Sequence, residues 1–180
     1  TVDVDWLVQQ MLANNDSLTD EQRQQSAQYM TRNAMMYGGM GGMAVMIPVI
    51  AAIMALYYFL VAKVMGSDIN YGRWFAFVNW VNIPTALSFI VGIVLILMSS
   101  DTQISTDVMA ATSLNALVTN LPIGHKWGSF AQTVSLITAW QIFISVVGFS
   151  AWTGRSKASA TVVTLIPYVL MFGVWALFLI

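Results

Sequence analysis

The sequence predicts an all-α, polytopic transmembrane helical bundle, on three observations. Of 180 residues, 58% are hydrophobic, only 8% are charged, and the apolar residues fall in long runs free of charge. An ordinary soluble domain carries roughly 25% charged residues, so this chain cannot build the usual water-facing surface, and most of its surface must face lipid. A net charge of −1, with seven scattered Lys and Arg, argues against nucleic acid as a partner, because that role needs clustered basic residues. The absence of cysteine leaves neither a disulfide framework nor a thiolate metal site.

The run that organises the chain is 73–98, which is uncharged after Arg73. Crossing about 30 Å of hydrocarbon takes roughly 20 apolar residues, and Trp74 beside Arg73 is a pairing expected at a headgroup boundary. By the same criterion the visible spans number four, at about 34–65, 73–98, 130–152 and 158–180. Residues 1–33 form a polar segment ahead of the membrane domain at 34–180. Within it Val4, Leu7, Val8, Met11 and Leu12 lie opposite Asp3, Asp5, Gln9 and Gln10, giving a short amphipathic helix. A turn follows at 14–17. Thr19 and Gln22 then match a capping box, so a Gln-rich helix is expected to run from about Asp20 into the first span. This segment reads as a solvated connector near the headgroups or as a docking surface for a partner.

In the first span Gly38 and Gly42 stand four apart, the small-residue spacing that lets two helix backbones approach closely. Met36, Met40, Met43 and Met46 share one face of the same helix. Thioethers suit copper(I), but they also fill irregular apolar packing, and no Cys or His lies nearby in sequence. Residues 66–72 form a tight turn, making the first two spans an antiparallel hairpin. In the polar connection 99–126, Val108, Ala111, Leu114, Leu117, Val118 and Leu121 approximate one helical face behind a cap cluster at 105–107, which predicts an interfacial or re-entrant helix over about 105–121. His125, the sole histidine, is expected to be solvated where the chain re-enters the membrane.

Lys63, Arg73, Arg155 and Lys157 flank or occupy the two short turns, while seven of the eight acids lie in the N-terminal segment and in 99–126. The positive-inside rule then places the turns in the cytoplasm. Residue 1 falls outside, which calls for an upstream span or export signal. No Asp, Glu, His, Lys or Arg lies deep in any span, whereas proton and ion paths through a bilayer usually need such groups. No zinc-protease, nucleophile-elbow or phosphate-loop motif occurs either. The candidate site residues are therefore amides and hydroxyls: Asn79, Asn82, Thr138 and Gln141. An amide facing lipid is left unsatisfied at several kcal/mol, so Asn79 and Asn82, three apart, should point inward toward Gln141 or Thr138. The cluster reads as polar glue between helices or as a site for a small molecule or lipid headgroup.

The stretch GSDINYGRWFAFVNWVNIPTAL, with Gly66, Tyr71, Arg73, Phe75 and Pro84, resembles a conserved region of the Yip-domain family of small membrane proteins. AWQIFISVVGFSAWTGRSKASATVV resembles that family's Trp-led span, glycine, short basic turn and small-residue-rich last span, and LTDEQRQQ is similar to prokaryotic members. The resemblance implies five spans, one more than is visible, and marks Pro84 and Gly148 as helix-packing positions. It also implies a setting in membrane traffic, since eukaryotic relatives sit in Golgi and endoplasmic reticulum membranes and associate with small GTPases and with one another. The cytoplasmic N-terminal region of those relatives has no counterpart here. The expectation is a non-enzymatic scaffold or assembly partner in a bacterial cytoplasmic membrane, without cofactor. Its partners are the lipid bilayer and other membrane proteins or further copies of itself. The alternative is small-molecule or lipid binding or transport through the amide cluster.

Overall fold

The structure, a computed structural model, describes residues 3–13, 18–100, 103, 108, 110–122 and 125–180. Its helices are α1 (Val4–Ala13), α2 (Asp20–Tyr29), α3 (Arg32–Val64), α4 (Tyr71–Met98), α5 (Gly128–Thr133), α6 (Leu136–Thr153) and α7 (Lys157–Leu179), with a π-helical turn at Asn115–Thr119. No strand occurs among the described residues beyond an isolated bridge between Ser113 and Ser135. Four helices, α3, α4, α6 and α7, are long and apolar enough to cross a membrane. At 1.5 Å per residue the 33-residue α3 is about 50 Å long and exceeds the hydrocarbon core of about 30 Å, whereas the 18-residue α6, at about 27 Å, falls slightly short of it. The chain divides into two compact units, 1–44 with 88–135, and 45–87 with 136–180.

In the first unit, Asp3 caps α1 by accepting from the Trp6 amide at 3.0 Å, Leu7 and Val8 of α1 are buried, and α1 packs against α2. The Thr19 capping box is closed in both directions: Thr19 Oγ1 accepts from the Gln22 amide at 3.3 Å, and Gln22 Oε1 from the Thr19 amide at 3.0 Å. The expected continuous helix into the first span is interrupted. α2 ends at Tyr29, and Thr31 restarts the chain as a cap, its hydroxyl accepting from the Ala34 amide at 3.3 Å.

The connection to the third span also departs from the expected helix over 105–121. The cap cluster at 105–107, like the turn at 14–17 and Gly124, lies outside the described residues. What is described is a knot around Asn115, whose Oδ1 accepts from the Leu121 amide at 2.8 Å and from Thr119 Oγ1 at 2.9 Å while its Nδ2 donates to the Leu121 carbonyl at 3.3 Å. A side chain that can bond its own neighbourhood competes with helical hydrogen bonds, and here it bends the backbone into a π turn closed by the Asn120 amide on the Asn115 carbonyl at 2.8 Å. Asn120 itself is left-handed, at φ 46°. The third span is correspondingly broken: Val134 is extended between α5 and α6, and its carbonyl accepts from the Leu114 amide at 2.7 Å.

The second unit is built from two helical hairpins. α3 ends in a Schellman motif, the Ser67 amide donating to the Ala62 carbonyl and the Gly66 amide to that of Lys63, with Gly66 at φ +83°. Asn70 then caps α4 by accepting from the Arg73 amide at 3.0 Å. In the other hairpin Ser150 Oγ donates to the Arg155 carbonyl at 2.7 Å, and Ser156 caps α7. The Arg155 guanidinium donates to the Met65 carbonyl, so the turn of one hairpin holds the carbonyl end of the other. Ala51, Ala55, Tyr58 and Ala62 of α3, Trp74, Phe77, Val78 and Val81 of α4, Phe149 of α6 and Ala160 and Val163 of α7 form the core. Trp74 therefore departs from the boundary role expected for it: Arg73 is exposed, but Trp74 is fully buried. The outer faces are apolar and open, with Trp80 at 70% and Phe178 at 85% exposure, an arrangement suited to lipid and not to water.

Candidate functional site

Each span of the second unit is almost wholly apolar, so its few amides must find partners. Asn82, on α4, donates from Nδ2 to the Val78 carbonyl one turn back at 2.9 Å, leaving Oδ1 as an acceptor. Gln141, on α6, fills that acceptor with Nε2 at 3.0 Å and also reaches Thr85 Oγ1 at 2.9 Å. The structure thus brings together Asn82 and Gln141 of the expected cluster and adds Thr85, one turn beyond Asn82. Asn79 does not join: it is exposed, and its Nδ2 closes onto the Phe75 carbonyl of its own helix at 2.7 Å. A carbonyl four residues back is always within reach of a helical Asn, so pointing inward is not the only way to satisfy the amide. Thr138 is half-buried three residues before Gln141 on α6. These groups are neutral at all ordinary pH values and none is a nucleophile, so what they do best is hold α4 to α6.

Below this junction lies an aromatic cluster that sequence reasoning missed as a unit. Tyr58 stacks on Trp74 with ring centroids 5.8 Å apart and meets Phe77 edge-on at 5.3 Å. Trp152 lies 5.5 Å from Trp74 and 5.2 Å from Phe77. Such pairs contribute about 0.5–1.5 kcal/mol beyond area burial. Gly148 is what lets Phe77 in: a Cβ there would stand 2.5 Å from Phe77 Cε2. Pro84 is buried within α4. Tyr58 lies beside the hydroxyls of Ser145 and Thr164, yet Tyr58 Oη and Thr164 Oγ1 are buried without closing a hydrogen bond. Serine and threonine are common in such spans, so nothing in the residue types singled these two out.

Gly38 and Gly42 have a different environment from Gly148, since a Cβ at either would meet nothing within 4 Å among the described residues. Met36, Met40, Met43 and Met46 lie along the outside of α3, each 46–66% exposed. His125 shapes a turn, Nδ1 accepting from the Trp127 amide at 3.1 Å where α5 begins. Among the described residues, no three His, Cys, Asp or Glu side chains come together as metal ligands would.

A family model described as Yip1 domain matches residues 4–178. Among curated proteins and among solved structures, nothing matches the chain.

Proposed function

This chain belongs to the Yip1 domain family, and we propose that it acts in the membrane as a non-enzymatic assembly partner, a scaffold for other membrane proteins or for further copies of itself. One observation carries the reading: a Cβ added at Gly38 or Gly42, the pair spaced for close backbone approach, would meet no atom of another element within 4 Å among the described residues. Small residues four apart let a second helix come near, and in this reading that helix belongs to another molecule. The methionines beside them are exposed and can adapt to an irregular surface. The amide junction agrees, because the Gln141 amide nitrogen donates to both Asn82 Oδ1 and Thr85 Oγ1, within the protein itself. The stretches 33–62, 74–98, 127–154 and 158–180 hold no Asp, Glu, His, Lys or Arg, which supports a role without acid–base chemistry. In this reading 34–180 is the membrane domain of a bacterial cytoplasmic membrane protein, the basic turns face the cytoplasm, and 1–33 lies on the opposite side.

The test is purification of the full chain in a mild detergent, with mass spectrometry of what travels with it and measurement of its mass. A stoichiometric protein partner, or a second copy, is expected in the native chain and should be lost in the Gly38→Leu, Gly42→Leu variant at unchanged helical content. A monomer with no protein partner overturns the reading, as does an association that survives the variant.

A further inference from the structure

The turns at one end of the second unit carry a charge arrangement that the assembly reading leaves unused. The Arg155 guanidinium on the Met65 carbonyl and the contact of Trp74 with Trp152 at 5.5 Å place the turn after α3 and the turn after α6 side by side. Lys63 in the last turn of α3, Arg73 in the first turn of α4, Arg155, and Lys157 at the start of α7 therefore stand at the same end, and all four are exposed. Asp68 is the one acid there, so four positive charges less one negative leave a net +3. None of the four cations pairs with a described acid; the pair formed among the described residues is Arg23 with Asp20, in the other unit. Tyr71 and Trp152, exposed to 38% and 42%, add aromatic rings at the same ends of α4 and α6, the depth at which such rings sit in a headgroup layer.

We propose that this end binds anionic phospholipid, whose phosphodiester lies among Lys63, Arg73, Arg155 and Lys157 while the acyl chains run along the apolar outer faces of the spans. The cations stand at the ends of membrane-crossing helices, which favours a headgroup over a soluble polyanion. The net +3 favours an anionic headgroup over a zwitterionic one. Arg155 has a dual part, because one nitrogen fixes the turn while the rest of its planar fork is free to meet phosphate oxygens. This site is independent of the glycine face and of the amide junction.

The experiment places the full chain in phosphatidylcholine vesicles containing spin-labelled phosphatidylglycerol or, as the neutral probe, spin-labelled phosphatidylcholine, and measures the motionally restricted fraction of each. Preference for phosphatidylglycerol is expected. Each cation near an anionic surface is worth roughly fivefold, so Arg73→Gln with Lys157→Gln should lower the preference by about 25-fold. The charge-keeping pair Arg73→Lys with Lys157→Arg should retain it, and so should Asn82→Leu. Among the described residues neither the Arg73 nor the Lys157 side chain makes a hydrogen bond or ion pair, so the double variant should keep the native helical content. Raising salt from about 0.05 M to about 0.5 M must weaken the preference in the native chain by screening, which tests the same point without a variant. Equal restriction of the two lipids, a preference that survives the double glutamine variant, or indifference to salt overturns the proposal. Displacement of the lipid by millimolar inorganic phosphate also overturns it, by revealing a free-anion site.

Discussion

Gly148 shows how one hydrogen atom's width sets the spacing of two helices. Its α-carbon faces Phe77, and a methyl placed there would stand 2.5 Å from the ring carbon Cε2. The ring cannot swing aside freely, because Tyr58, Trp74 and Trp152 surround it. Gly148→Ala should therefore lower stability by about 1–3 kcal/mol, the usual cost of overpacking, read as a fall in melting temperature in detergent. Gly173→Ala, whose added Cβ would meet nothing within 4 Å among the described residues, should be neutral or slightly stabilising. The amide junction invites a double-mutant cycle. Asn82→Leu and Gln141→Leu should couple by about 1 kcal/mol, whereas Asn79→Leu and Gln141→Leu should be additive because Asn79 bonds its own helix. Gln141 and Asn82 were legible in the sequence because an amide in a greasy span must find a partner. The retreat of Asn79 was not, since its choice between a neighbouring helix and its own backbone depends on the helix rotation. Thr85 went unmarked for a related reason: a hydroxyl can bond its own helix, so its part became evident only once α6 was placed.

The elements divide into those whose signals are local and those whose signals depend on distant chain. The Thr19 box involves residues three apart and was legible from them alone. The spans were legible because a charge-free run of that length has no other stable environment. The stretch before α5 misled because its apolar residues repeat at helical spacing while Asn115, in their midst, carries a side chain able to satisfy the backbone differently. The break at Val134 escaped notice because its cause, the Leu114 amide, lies twenty residues earlier in the chain. Asn115→Leu should leave the Leu121 amide and carbonyl without their partner, at about 1–3 kcal/mol. Hydrogen exchange should then be roughly ten- to a hundredfold faster over 116–121, with α3 and α7 unchanged. An unaltered exchange pattern would mean that the π turn holds itself.

For the whole molecule, the sequence disclosed the environment more fully than the neighbours. Four apolar helices and an uneven spread of basic residues specify a membrane protein and, through the positive-inside rule, an expected orientation. They do not specify that Trp74 turns inward or that Arg155 reaches Met65, because those contacts join residues far apart in the chain. That reach also has a temporal side. Arg155 lies ninety residues after the carbonyl it holds. At translation rates of about 5–20 residues per second, the first hairpin of this unit waits roughly 5–20 s after its turn has been synthesised before the arginine exists to close it. During that interval the carbonyl end of α3 lacks its guanidinium, and the aromatic cluster lacks Phe149 and Trp152. The last hairpin brings the arginine and both missing rings together, so this unit closes only when the end of the chain has been made.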